Sequence, residues 1–204
     1  MRVAALRIGG EAAGWRELGF DVRPDASVVL SNSRLELVAS AEVGAIESWA
    51  LEGDDVQPAI DGLATEAGVR GDLDVGHPNG ALAIDHVVVI TPSLERTTGA
   101  FAELGVECRR VREAGNGVRQ GFFLVGDLLV EVVESPDADP GAPARFWGIT
   151  VAVADIDAAA NMLGERLGPV RDAVQPGRRI ATVRPEASSG LPLAFITQRR
   201  RGTG

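Results

Sequence analysis

The chain has no lysine and no tyrosine, and among its 204 residues only two histidines and one cysteine. All 20 basic side chains are therefore arginine. A phosphate-binding P-loop needs its lysine and a pyridoxal phosphate enzyme needs a Schiff-base lysine, so both classes are excluded. The single Cys108 excludes an internal disulfide and every multi-cysteine metal centre. Arg109 and Arg110 beside it would lower a thiol pKa, but a bystander at a strand start is the plainer reading. No apolar run approaches membrane-spanning length, and 45% hydrophobic residues suit a soluble globular protein. Met1-Arg2-Val3-Ala4-Ala5 lacks the apolar core of a signal peptide, so the expected compartment is the cytoplasm, with no membrane partner. A net charge of −9 argues against a nucleic-acid surface, which needs a basic patch. The run Arg199-Arg200-Arg201 reads as a solvated tail.

What is present centres on Ala83 to Ser135. Ile84-Asp85-His86-Val87-Val88-Val89-Ile90-Thr91 and Leu128-Leu129-Val130-Glu131-Val132-Val133-Glu134-Ser135 read as strands, rich in branched aliphatics and bounded by Pro92, Gly126-Asp127 and Pro136. Between them Leu94, Thr97, Phe101 and Leu104 share one helical face. Ser93 and Asp155 stand where helix N-caps are expected.

The segments repeat. Arg34-Leu35-Glu36-Leu37-Val38-Ala39-Ser40 matches Leu129 to Ser135 with glutamate and serine in register, and Trp15-Arg16-Glu17-Leu18-Gly19-Phe20 matches Phe101 to Val106. Four units follow. The first runs from Val3 to Ser40. The second, abbreviated, has a strand at Ala45–Leu51 and a helix from Asp55 to Ala67 with Ile60, Leu63, Ala64 and Ala67 on one face. The third is Leu82 to Ser135. After the loop Pro136–Pro143, the fourth has a strand at Phe146–Val153, a helix at Asp155–Leu167 and strands near Arg179–Val183 and Leu193–Thr197. The expected division is a degenerate N-terminal pair over 1–75 and a fuller pair over 82–204, its units at 82–135 and 145–198.

The histidine and glutamate strands, with Pro92-Ser93-Leu94-Glu95-Arg96 after the first, resemble the opening and closing strands of a βαβββ module of the vicinal oxygen chelate superfamily. This superfamily includes glyoxalases, bleomycin-resistance proteins and extradiol dioxygenases. Gly148-Ile149-Thr150-Val151-Ala152-Val153-Ala154-Asp155 resembles the second copy of the same motif. The resemblance implies an α+β fold of tandem modules. Their strands curve into a mixed-sheet cup with helices on the outer face, and first and last strands carry ligands to a divalent metal. His86 and Glu131 take two ligand positions, while the other two fall on Gly148 and Ala194, which cannot coordinate.

A catalytic zinc needs three protein ligands, and non-haem iron sites use two histidines and a carboxylate. The expectation is therefore a glyoxalase-like protein holding a small metabolite in the cup, without a cofactor and with an incomplete metal site. In it, binding or sequestration is one outcome, and metal-free acid/base chemistry through His86 and Glu131 is another. The alternative is a zinc, nickel, manganese or iron lyase, isomerase or dioxygenase completed by His77, Glu36 or Glu47 or by another subunit. A third reading is a purely structural module. Strand alternation puts His86, Val88 and Ile90 on one face, and Leu129, Glu131 and Val133 on one face. A buried Glu131 then needs a partner: His86, Arg119 or Arg179. Arg119 and Arg179, each starting a strand, could instead clamp an acidic ligand. Phe122 and Trp147 are candidates to line the pocket. A homodimer is a further expectation, although four units could satisfy module pairing within one chain.

Overall fold

Branched aliphatic runs become strands along the whole chain, and two mixed sheets result. The computed structural model describes residues 1–39, 42–53, 56–71 and 76–199. The first part comprises β1 (Val3–Gly9), α1 (Ala12–Glu17), β2 (Ser27–Leu30), β3 (Ser33–Val38), β4 (Ile46–Leu51), β5 (Ala59–Ile60) and β6 (Leu63–Ala67). They form a six-stranded sheet in the order β2-β3-β1-β4-β6-β5. The second part comprises β7 (Ala81–Thr91), α2 (Leu94–Glu103), β8 (Cys108–Glu113), β9 (Arg119–Val125), β10 (Leu128–Glu134), β11 (Arg145–Val153), α3 (Ile156–Leu163), β12 (Arg171–Asp172), β13 (Arg179–Thr182) and β14 (Leu193–Thr197). These strands form an eight-stranded sheet in the order β12-β13-β14-β11-β7-β10-β9-β8. The fold is α+β.

The two sheets share one pairing plan. β1 runs parallel to β3 and antiparallel to β4, which runs parallel to β6. β7 likewise runs parallel to β10 and antiparallel to β11, which runs parallel to β14. The repeated sequence segments sit at matching places: β3 and β10 are the strands parallel to the opening strand of their sheet, and α1 and α2 follow those opening strands.

Both expected N-caps form. Ser93 Oγ accepts from the Arg96 N–H at 3.2 Å, and Asp155 Oδ1 accepts from the Asp157 and Ala158 N–H groups. Such caps stabilise a helix by about 1 kcal/mol each. One expectation fails. The segment read as a helix over 55–67 is the hairpin β5–β6, and Asp55 itself lies outside the described residues. Asp61 and Gly62 both have positive φ, the geometry of a tight two-residue hairpin turn. A side chain at Gly62 would also meet Pro143 at 2.2 Å. Residues 72–75, between the second and third units, Ser40 of the repeat, and Arg200 and Arg201 of the tail also lie outside the described residues.

One apolar core joins the sheets. Trp49 of β4 packs edge-on to Phe101 of α2 and to Phe146 of β11, and Phe101 stacks on Phe123 of β9 at 4.8 Å. Burying each such ring contributes about 1.5–3 kcal/mol. A polar tie crosses the same boundary. The buried Asn32 amide bonds both the N–H and the C=O of Ile84, at 2.9 and 2.8 Å. β10 pairs with β7 only from His86 onward, so Asn32 satisfies backbone that no neighbouring strand reaches on that side.

Candidate functional site

The site is built on β7, β10 and β11. His86 faces Thr150 of β11 and Ile84 faces Val151, so Asp85 is the extra residue of a bulge. The bulge brings the Asp85 carboxylate beside its own neighbour: Oδ2 lies 3.0 Å from Nδ1 of His86. Strand alternation alone would have separated the two side chains.

Asp85 is held in turn by Arg178, whose Nη2 and Nη1 donate to Oδ1 at 2.6 Å and Oδ2 at 3.1 Å. Arg178 Nε donates to the Thr197 carbonyl at 2.8 Å. Both side chains of this pair are buried. Burial pushes the Asp85 carboxyl up, but the hydrogen bonds from His86 and Arg178 outweigh it and hold the group down at about 2. An acceptor charged at neutral pH on Nδ1 fixes the imidazole tautomer and leaves Nε2 facing the cup.

Nε2 points at Glu131, whose Oε2 is 3.7 Å away, beyond hydrogen-bond range. The other oxygen, Oε1, accepts from Gln120 Nε2 at 2.8 Å. Gln120 is itself oriented by Arg112, whose Nε and Nη2 both donate to its Oε1. The partner that Glu131 required is thus Gln120, with His86 close by.

His86, Gln120 and Glu131 line a cavity of about 400 Å³ whose remaining walls include Val88, Ile90, Val133, Trp147 and Thr150. Trp147 sits at a second irregularity, where Phe146 faces Val89 and Gly148 faces Val88. Phe122 lines an adjoining cavity that shares His86, Gln120 and Glu131. The structure turns the other two candidates elsewhere. Arg119 is spent on Glu134 and Glu95, and Glu134 in turn accepts from the Leu94 N–H at the start of α2. Arg179 pairs with Asp157 of α3 at 2.7 Å. Neither lines the cup. Arg178, one residue earlier, does reach the site, and with Asp85, Gln120 and Arg112 it was missed in the sequence. The signal for Asp85 and Arg178 lay only in the adjacent pairs Asp85-His86 and Arg178-Arg179.

The divalent metal implied by the resemblance can be tested on the donors present. Glu131 faces Val88 and Ala194 faces Thr150, so Ala194 holds the place corresponding to Glu131. Gly148 holds the place corresponding to His86, and it is closed: a Cβ there would lie 2.3 Å from the Pro192 carbonyl oxygen and 2.8 Å from its Cβ. His77 is committed far from the cup. Its Nδ1 accepts from the Asp21 N–H at 3.0 Å, and Nε2 lies 2.8 Å from the Val29 carbonyl. Glu36 pairs with Arg34, and Glu47 is exposed. Among the described residues no three histidine, cysteine or carboxylate groups are gathered to hold a metal ion. The donor set, two side chains where three are needed, does not fit.

Residues 83–183 match the model of the Glyoxalase/Bleomycin resistance protein/Dioxygenase superfamily. No curated protein sequence matches the chain. Similar solved structures include methylmalonyl-CoA epimerase from Mycobacterium tuberculosis, at 15% identity over 60% of this chain and 91% of that one, with a TM-score of 0.48. A Streptomyces coelicolor methylmalonyl-CoA epimerase in complex with 2-nitronate-propionyl-CoA is 22% identical over 58% of this chain and 95% of that one, with a TM-score of 0.47. Through residues 83–183, which carry the histidine and glutamate strands, the chain belongs to the Glyoxalase/Bleomycin resistance protein/Dioxygenase superfamily.

Proposed function

We propose that the C-terminal cup binds a small carbonyl metabolite and moves a proton along one face of it through His86, with Glu131 as counter-charge and no resident metal. The observation that carries this reading is the Asp85–His86 contact, which frees Nε2 toward the cavity and Glu131. In the proposed step Nε2 takes a proton from the carbon beside the carbonyl. The electron pair of that C–H bond moves to the carbonyl oxygen as an enolate, and the imidazolium rests between Asp85 and Glu131. Thr150 and Gln120 are neutral donors in the same cavity for the enolate oxygen. The imidazolium then returns the proton to the same or the adjacent carbon.

The stereochemistry follows from placement. His86 and Glu131 share one wall, and the corresponding positions across the cup, Gly148 and Ala194, carry no ionisable group. Proton removal and return therefore occur on the same face, which suits isomerisation or exchange with retention and not inversion. The N-terminal sheet, on this reading a degenerate module pair, does no chemistry. Its Arg7 guanidinium already contacts Glu66 at 3.0 Å and Glu36 at 3.9 Å, and Ser48 donates to Glu66.

The test has two arms. Untagged protein is offered nickel, zinc, manganese and iron in turn, beside His86→Ala and Glu131→Ala, and its bound metal is counted. Deuterium uptake from heavy water into dihydroxyacetone is then followed by NMR. We expect no stoichiometric metal, and exchange above the buffer rate that His86→Ala abolishes. Stoichiometric metal lost in both variants would point instead to the metal-dependent lyase or dioxygenase alternative.

A further inference from the structure

The cup has two unlike lobes that meet at the acid/base pair. The first, of about 400 Å³, is walled mainly by aliphatic side chains and Trp147. The second, of about 480 Å³, is lined by Arg112, Phe122, Arg171, Asp172 and Gln175. His86, Gln120, Glu131 and Ile180 belong to both. A molecule long enough to span the lobes must pass its middle carbons over His86.

The two cations of the second lobe differ from their neighbours. Arg119, Arg178 and Arg179 are each spent on a carboxylate. Among the described residues Arg112 bonds only the neutral Gln120, leaving Nη1 unspent, and it lies over the Phe122 ring at 5.9 Å, which orients the guanidinium. Among the described residues Arg171 has no ion-pair partner. Of the acids of this lobe, Glu131 already accepts from Gln120, and among the described residues Asp172 forms no ion pair with Arg112 or Arg171. Two available guanidiniums beside an apolar chamber match one ligand chemistry, an anionic head on an apolar tail.

We infer that the cup takes a carboxylic acid with an apolar tail, the carboxylate on Arg112 and Arg171 and the tail in the aliphatic lobe beside Trp147. A single negative charge suits the lobe better than a dianion, because Glu131 and Asp172 stand nearby. This inference rests on the reading of the cup as a metabolite site, and it names the substrate class. The reactive carbonyl then lies between head and tail, within reach of Nε2.

Titration calorimetry with hexanoate, hexanamide and acetate as probes tests it. Hexanoate should bind at one site per chain, roughly tenfold or more tighter than its neutral isostere hexanamide. Acetate, which lacks the tail, should bind far more weakly. Arg112→Gln and Arg171→Gln should each weaken hexanoate several-fold and leave hexanamide unchanged. The double variant should erase the preference for the anion. Equal affinity for hexanoate and hexanamide, no binding of either, or an unchanged preference in the double variant would overturn the inference. His86→Gln separates this idea from the acid/base reading. Hexanoate binding kept in that variant supports the site as drawn, whatever becomes of proton exchange. Normal exchange in His86→Gln would sink the acid/base role alone.

Discussion

Asp85 and His86 are consecutive residues of one strand, yet their side chains meet at 3.0 Å because a bulge in β7 turns both the same way. The contact sets the direction of Nε2, and its upkeep depends on Arg178. Asp85→Asn removes the buried negative charge and leaves Arg178 buried without a counter-ion, at a cost of about 3 kcal/mol in urea unfolding. The pH dependence has a definite sign. The folded pKa of about 2 lies below the unfolded value, so this stabilisation is complete above about pH 4 and is lost as pH falls through 2. The loss amounts to about 2 kcal/mol. The Asn variant should show a flatter acid limb. A wild-type acid limb in that variant would refute the assignment.

Gly148 is where a metal-binding histidine would stand, and the carbonyl of Pro192 occupies the space its side chain needs. Ile149 donates its N–H to that same carbonyl at 3.0 Å, so the loop cannot withdraw without losing a bond. Gly148→Ala should destabilise by about 1–3 kcal/mol through overpacking. Gly148→His should cost more and gain no zinc affinity, measured by competition with a chromophoric chelator. Tight zinc binding by a folded Gly148→His protein would show that the cradle opens readily.

Local rules made much of this architecture legible. The aliphatic strands β7 and β10, the caps Ser93 and Asp155, and the glutamate register of β3 and β10 all follow from side-chain periodicity and hydrogen-bonding chemistry within a few residues. The misread segment at 55–67 failed because Ile60, Leu63, Ala64 and Ala67 also fit a helical face. The dipeptide Asp61-Gly62, a strong hairpin signal, competed with that spacing and won. The site was half legible. His86 and Glu131 follow from the strands that carry them, but a bulge is a property of cross-strand register, which no single strand encodes. For the same reason Arg179 drew attention in place of Arg178: adjacent residues point opposite ways, and only the partner Asp85 decides which one matters. Arg119 was misplaced because Glu95 and Glu134 come near it only in three dimensions.

Asn32 links the N-terminal sheet to the site by bonding both backbone groups of Ile84, next to the bulge. Asn32→Ala leaves a buried N–H and C=O without partners, which costs about 1–3 kcal/mol for each group. The expected signature goes beyond stability. Backbone amide exchange at Ile84, Asp85 and His86 should accelerate before that of β10 or β11, and hexanoate affinity should fall. Uniform acceleration across the eight-stranded sheet would mean that Asn32 supports the fold and not the bulge.

His77 gives the protein a second acid sensitivity, distinct from that of Asp85 in position and pH. Its ring sits against Phe20 at 5.5 Å and, from the segment between β6 and β7, bonds Asp21 and Val29 of the N-terminal part. The Asp21 N–H needs an unprotonated Nδ1 as acceptor, so only the neutral ring, with its proton on Nε2, serves both bonds. Burial lowers its pKa from the ordinary value, against the opposing pull of Val29 and Asp21. A lowered folded pKa means that the unfolded chain binds the proton more readily. The stabilisation is therefore present above the unfolded value of about 6.5 and declines as pH drops through the folded one. Urea midpoints should fall between pH 7.5 and 5.5, with most of the slope removed in His77→Gln, whose amide can donate to Val29 without titrating. An unchanged slope in that variant would refute the assignment of this sensitivity to His77.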